Sequence, residues 1–139
     1  MTEFPFDENE FFKAGKEVWF EMRGPAVAQK AMDEAGQHEM TRDLRQYLFE
    51  HCFGAVWNRP GLERSTRSTI TISVLTALGR TEELKSHIRM GLNNGLTREE
   101  LKEIFLHVGI YAGVPTAVAA VRASSRATRS SARSQDTAT

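Results

Sequence analysis

A helix start signal at Thr97 constrains the fold of this chain more than any other local feature. Thr97 is followed three positions later by Glu100, and in such a pair each side chain hydrogen-bonds to the other residue's backbone N–H at the first turn of a helix. The apolar residues that follow recur every three or four positions and define one helix face: Leu101, Ile104, Phe105, Val108 and Tyr111. We therefore predict a helix with this inner face that begins after Thr97 and ends at Gly113-Val114-Pro115.

The same spacing of apolar residues recurs through most of the chain. Stripes of this kind occupy residues 9–24, 40–58 and 81–93, and each ends at a turn rich in Gly, Pro or Asn. A last helix of mostly small residues follows Pro115 and is predicted to end near Ser125. The pattern predicts an all-α fold, a compact bundle of about six helices.

The segment between Gly61 and Gly79 carries two competing signals. Its centre, Thr69-Ile70-Thr71-Ile72-Ser73-Val74, alternates and is rich in β-branched residues, which favours a strand. Its length favours a helix, and so do four apolar positions: Ile70, Val74, Leu75 and Leu78. We interpret the segment as a buried helix.

Length and composition indicate one ordinary globular domain. A chain of 139 residues is long enough for one hydrophobic core, and we place this domain in residues 1–125. Residues 126–139 are rich in Ser, Arg and Thr and offer little to bury, so they are predicted to form a disordered basic tail. Eighteen basic residues balance eighteen acidic ones, which gives no net field to attract nucleic acid or a membrane surface.

The cysteine content and the N-terminal residues bear on where the protein resides. Cys52 is the single cysteine, which excludes an internal disulfide and a cysteine zinc site and favours a reducing compartment. The first residues are acidic where a secretory signal needs basic ones, and no apolar run reaches about 18 residues. We expect a cytoplasmic protein.

Three motifs, in their order and spacing, resemble those of a known family. They are Trp57-Asn58-Arg59-Pro60-Gly61-Leu62 followed by Arg67-Ser68, then Glu83-Leu84-Lys85-Ser86-His87, and then Asn93-Asn94-Gly95-Leu96-Thr97 leading to Tyr111-Ala112-Gly113-Val114-Pro115. Together they resemble the carboxymuconolactone decarboxylase family over about residues 40–123.

The resemblance implies both an architecture and an activity. The architecture is an all-α, alkylhydroperoxidase D-like fold that forms a homo-oligomer, a trimer or a hexamer, with the active site near subunit contacts. The activity is that of a carbon–carbon lyase in aromatic compound catabolism, on the 3-oxoadipate pathway. It converts 4-carboxymuconolactone, or a close lactone relative, into 3-oxoadipate enol-lactone without a metal or an organic cofactor.

The resemblance also identifies two candidate catalytic residues, Glu83 and His87. Related alkylhydroperoxidases carry two cysteines at positions matching Arg80 and Glu83, and because both thiols are missing here, thiol peroxidase chemistry is excluded. Glu83 and His87 lie one helical turn apart, and we expect them to be shielded from water and to share acid–base chemistry. Glu83 would protonate carbon, and His87 would be its partner or would stabilise the lactone oxygen. Without the family context, such a pair is usually only a surface pair.

Arginine is the residue type expected to hold this substrate. The substrate carries two carboxylates, and a guanidinium binds a carboxylate through two parallel hydrogen bonds. Arg67 is our first choice, with Arg59 and Arg64 as alternates. The alternative is that Arg67 only caps a turn or pairs with a neighbouring carboxylate.

Three aromatic or imidazole side chains would form the wall of the pocket: Trp57, His107 and Tyr111. His107 and Tyr111 lie one turn apart on the helix that follows Thr97, and each has a polar tip on an apolar body. The alternatives are that His107 is a buried core histidine and that Trp57 and Tyr111 are core aromatics.

The chain departs from the family pattern at positions expected near the site. Trp19 and Phe20 stand where a pair of arginines is common, Ala112 replaces a common cysteine, His107 a glutamine and Val118 an asparagine. These changes leave two alternatives open. One is a repurposed enzyme that carries out proton transfer, dehydration or cyclisation on a biosynthetic intermediate, and the other is a non-catalytic oligomeric binding protein.

Overall fold

The computed structural model describes the backbone of residues 3–136 and the side chains of residues 3–129. This part of the chain contains no strand and consists of seven α-helices, one π-helical segment and turns. The α-helices are α1 (Glu10–Arg23), α2 (Pro25–Ala35), α3 (Glu39–Tyr47), α4 (Arg64–Leu78), α5 (Thr81–Asn93), α6 (Arg98–Ala112) and α7 (Val114–Asp136). The predicted all-α class is confirmed, with seven α-helices among the described residues instead of about six.

The helices divide between two compact units, an N-terminal unit (Met1–Leu62) and a C-terminal unit (Glu63–Thr139). The placement of one domain in residues 1–125 stays a prediction. No helix within residues 3–136 is both long enough and apolar enough to span a bilayer.

In the N-terminal unit, α1 packs against the π-helical segment Leu48–Trp57. The Phe12 backbone N–H donates to Asn9 Oδ1 at 2.9 Å, which caps α1. The helix then buries Phe12 and Trp19 against Phe49, with ring centroids 5.3 and 5.2 Å from the Phe49 ring. This aromatic cluster is the core of the unit.

The π-helical segment continues directly from α3 for ten residues. Most π-helical stretches in proteins are single turns, and the sequence predicted only an ordinary helix here. The segment buries Phe49, Phe53, Gly54 and Trp57 on its inner face. Gly54 is needed because its Cα lies against the backbone of α1, where an added β-carbon would be 2.3 Å from the Phe11 carbonyl oxygen.

In the C-terminal unit, helices α4 to α7 surround a core that includes Ile72, Leu84, Ile88, Leu101 and Phe105. The predicted capping box opens α6: the Glu100 N–H donates to Thr97 Oγ1 at 3.1 Å, and the Thr97 N–H donates to Glu100 Oε1 at 3.0 Å. The prediction for this helix start is confirmed.

The segment with competing signals is the helix α4, as interpreted, but a different face of it is buried. The buried positions are Ser68, Ile72 and Thr76, spaced by one turn each. Ile70, Val74 and Leu78 lie on the opposite side and are half or more exposed within the chain. Of the four apolar positions behind the prediction of a buried helix, only Leu75 packs against the core, so the prediction holds for one face of the helix and is wrong for the other.

Helix α7 continues past the predicted end near Ser125. Alanines at positions 120, 123 and 127 are buried at helical spacing, and Arg89 Nε donates to the Ala127 carbonyl oxygen at 3.4 Å. The helix extends to Asp136, so the boundary of the predicted tail, residues 126–139, falls inside a helix. Residues 137–139 lie outside the described residues.

Candidate active site

Glu83 and His87 occupy consecutive turns of α5. The helix is anchored by Leu84 and Ile88, both fully buried in the core of the C-terminal unit, and each candidate precedes one of these anchors by one residue. The i,i+4 spacing places the two side chains on one helix face. The structure thus places the two candidates one turn apart on one helix, and their catalytic roles stay a prediction.

The surroundings of the pair differ from the expectation that both residues are shielded from water. Glu83 is exposed in the single chain, and His87 is half-buried, with its Nδ1 atom out of contact with solvent. The expected shielding of Glu83 is therefore not provided by the single chain.

Arg67 lies on α4, the helix that packs beside α5 in the same unit. Its side chain is half-buried and its Nε atom is inaccessible to solvent. A guanidinium at this place has its aliphatic stem fixed by packing, which limits the entropy lost when it binds an anion. Of the alternates, Arg64 is the first residue of α4, and Arg59 belongs to the exposed turn that ends the N-terminal unit.

A hydrogen bond that the sequence analysis missed connects α4 to the end of α5. Asn94 Nδ2 donates to Ser68 Oγ at 2.9 Å, and Ser68, the neighbour of Arg67, is 1% exposed. Gly91 permits this close packing, since a β-carbon there would lie 3.0 Å from Ile72 Cδ1. The sequence pattern indicates only that a helix ends in a turn at this place. The available signal was that Ser68 and Asn94 both belong to the family-like motifs.

The two α6 candidates contact each other on the surface. The rings of His107 and Tyr111 stack with centroids 5.2 Å apart, but both side chains are exposed, Tyr111 by 83%. The interpretation of His107 as a buried core histidine is wrong, and so is the placement of Tyr111 on the inner face of α6. Leu106 and Ile110 beside them are also exposed, so this face of α6 is an apolar surface.

Trp57 is buried in the N-terminal unit, where its ring lies 6.0 Å from that of Phe53. This arrangement agrees with the alternative interpretation of Trp57 as a core aromatic. The nearby Cys52 thiol is half-buried, and burial raises its pKa above the usual value, although a hydrogen bond with Trp57 partly offsets this. A thiol with a raised pKa stays protonated at neutral pH and is a poor nucleophile.

The donor set of the described side chains does not assemble into a metal centre. Within residues 3–129, no group of three or more His, Cys, Asp or Glu residues is close enough to hold an ion. The chemistry carried by the candidate residues is that of a carboxylate, an imidazole and a guanidinium.

A comparison of the sequence with protein-family profiles tests the family resemblance that the motifs indicate. The sequence profile of the carboxymuconolactone decarboxylase family matches residues 42–125. The chain belongs to the carboxymuconolactone decarboxylase family. The matched range contains all six candidate site residues and includes parts of both compact units.

Two relatives of this family member are named as decarboxylases. The chain is 40% identical over 104 residues to a 4-carboxymuconolactone decarboxylase of Acinetobacter baylyi, an alignment that covers 75% of this chain and 76% of the relative. It is 33% identical over 99 residues to a nitrosuccinic acid decarboxylase of Metarhizium robertsii, covering 71% and 68%. The two relatives are named as decarboxylases of different carboxylic acids.

Proposed function

We propose that this chain is a cofactor-independent decarboxylase of 4-carboxymuconolactone or a closely related small carboxylic acid. The observation that carries the proposal is the Glu83–His87 pair on α5, the helix that packs against the Arg67-bearing helix α4, in a chain 40% identical to a 4-carboxymuconolactone decarboxylase. The pair supplies proton transfer, and the arginine supplies a cation for a carboxylate.

The substrate itself can accept the electrons of the broken bond. When the bond between the ring carbon and its carboxylate breaks, carbon dioxide leaves and the electron pair moves through the ring alkene to the lactone carbonyl oxygen. A hydrogen-bond donor stabilises the resulting enolate, and a proton then adds to the α-carbon to give the enol-lactone. We assign Glu83 as the acid that protonates the carbon. His87 is then the donor that hydrogen-bonds to the lactone oxygen.

The second relative favours an alternative substrate that fits the same chemistry. Nitrosuccinic acid, named in that relative's activity, carries a nitro group that also accepts the electron pair of a departing carboxylate. In this alternative the reaction is retained and only the substrate changes.

We further propose that a second copy of this chain covers the exposed face of α6 and α7 in a homo-oligomer, a trimer or a hexamer. This face, the α6–α7 face, carries six apolar side chains: Leu106, Ile110, Tyr111, Val114, Val118 and Val121. Ile110 is 80% exposed, and contiguous apolar patches of this kind mark interaction sites. Association would also supply cover for residues such as Glu83 that a single chain leaves exposed.

The proposed activity is tested by incubating the purified protein with each acid and measuring carbon dioxide. We expect release from 4-carboxymuconolactone, together with loss of the lactone's ultraviolet absorbance, and no effect of a metal chelator. Release from nitrosuccinic acid alone would favour the alternative substrate. Binding of either acid without release would favour the non-catalytic binding protein, and conversion without carbon dioxide would favour the repurposed enzyme.

A further inference from the structure

Trp19, in the core of the N-terminal unit, is contacted by two arginines. The guanidinium carbon of Arg45, on α3, lies 4.7 Å from the indole centroid, and that of Arg23, on α1, lies 5.6 Å from it. Both distances are those of cation–π contacts, for which Trp is the best partner. Trp19 is only 4% exposed, so these contacts hold Arg45 at the edge of the core.

The positive charge of Arg45 is not balanced by an acid of the described chain. Among residues 3–129, no carboxylate lies within ion-pairing distance of Arg45, whereas Arg42 on the same helix pairs with Asp43 at 3.1 Å. Arg45 is half-buried, and burial lowers the pKa of its guanidinium. A cation withdrawn from water without an anion is unfavourable, and an incoming carboxylate would relieve this cost.

Arg45 is one of the residues that line a cavity of the N-terminal unit. The cavity has a volume of about 250 Å³ and lies between α2 and α3. Four apolar residues form its wall: Ala31, Ala35, Leu44 and Leu48. Glu34 and Thr41 also line the cavity, and the exposed Glu34 carboxylate disfavours a ligand with more than one negative group.

We propose that this cavity is a binding site for a small apolar monocarboxylic acid, with Arg45 binding the carboxylate and the wall of α2 and α3 covering the apolar body. Trp19 is a positioning residue that holds the Arg45 side chain through its ring. Much of the site, including Trp19 and all of α2, precedes the family-matched residues 42–125. The site is a feature of the N-terminal unit and does not rest on the proposed decarboxylase activity.

The test is isothermal titration of the full chain with benzoate and with benzamide, which has the same shape without the charge. We expect saturable binding of benzoate and at least about tenfold weaker binding of benzamide, since a charge-assisted hydrogen bond contributes this much or more. Arg45→Gln should lower the benzoate affinity about tenfold or more. Arg42→Gln, the matched control on the same helix, should leave it unchanged.

Two further variants separate this cavity from other parts of the molecule. Ala31→Leu fills the cavity without removing a charge and should also abolish benzoate binding, which keeps the test valid if Arg45→Gln does not fold. Arg67→Gln removes the cation of the candidate active site, and the saturable benzoate binding that depends on Arg45 should remain in it. Equal affinities for benzoate and benzamide, no saturable heat at millimolar benzoate, or loss of binding in Arg67→Gln alone would each overturn the proposal.

Discussion

Gly15 of α1 and Gly54 of the π-helical segment bring two backbones into direct contact. A β-carbon on Gly15 would lie 2.8 Å from the Gly54 backbone nitrogen and 2.0 Å from the Phe49 carbonyl oxygen. No side chain can move aside at either position, because the neighbouring atoms belong to the backbone. The aromatic core of the N-terminal unit therefore depends on glycine at both places.

Substituting either glycine should destabilise the protein. We expect Gly54→Ala to lower the free energy of unfolding by about 3 kcal/mol or more, the upper range for overpacking, because α1 must move away from the π-helical segment. Urea denaturation measures the change. Gly61→Ala is the matched control: it has no neighbouring atom within 4 Å, so its effect should stay within about 1 kcal/mol.

The carboxylate of Glu50 should make the N-terminal unit sensitive to acid. Hydrogen bonds from Gln46, the largest cause, and from Asn9 lower the pKa of Glu50 below its usual value. Because the folded pKa lies below the unfolded one, this contribution is present above the unfolded pKa and is lost as pH falls through the folded value. The free energy of unfolding of Glu50→Gln should thus change less between pH 7 and about pH 3 than that of the parent chain. An equal pH dependence in both proteins would contradict this.

The Asn94–Ser68 hydrogen bond should affect both stability and substrate binding. Asn94→Ala leaves the buried Ser68 hydroxyl without this donor, which should cost about 1–3 kcal/mol in denaturant unfolding. It should also raise KM more than it lowers kcat, because Ser68 adjoins the substrate-binding candidate Arg67. Gln29→Ala removes an exposed hydrogen bond to Asp33 and should change stability by less than about 0.5 kcal/mol. An unchanged KM in Asn94→Ala would show that this hydrogen bond does not affect substrate binding.

A charge on the α6–α7 face should break the homo-oligomer. Ile110→Glu places a carboxylate in the middle of the proposed interface, and burying it there without a partner would cost several kcal/mol. Light scattering after size-exclusion chromatography should show the parent chain as an oligomer and Ile110→Glu as a smaller species. Glu103→Gln on the same helix, where the residue is exposed, is the control. A parent chain that is monomeric would contradict the proposal.

Local signals in the sequence predicted the helices other than α2 (Pro25–Ala35), because the groups that end a helix are close in sequence. The Thr97–Glu100 capping box and the glycine at position 113, which adopts a positive φ of 107°, are examples. The unusual length of the π-helical segment was not predictable in this way. The segment contacts α1 through Gly15 and Gly54, residues far apart in the sequence, and such a contact leaves no local pattern.

The sequence was less informative about which helix face is buried. Helix α4 has apolar residues on two sides. The side that is buried in the chain carries Ile72 together with the polar Ser68 and Thr76. Periodicity could not choose between these faces, because apolar Ile70 and Val74 lie on the exposed one. The same reason explains why Tyr111 was assigned to the inner face of α6. A residue that is exposed in a single chain can be apolar when the surface of another protein molecule covers it on association.

The assignment of catalysis to Glu83 and His87 is tested most directly by the turnover of Glu83→Gln and His87→Ala with 4-carboxymuconolactone. Each should lower kcat/KM by about a hundredfold or more, the usual effect of removing a general acid or base, while the oligomer stays intact. Glu82→Gln, which removes an adjacent exposed carboxylate paired with Lys85 at 2.8 Å, should retain activity. Full activity in both Glu83→Gln and His87→Ala would contradict the assignment.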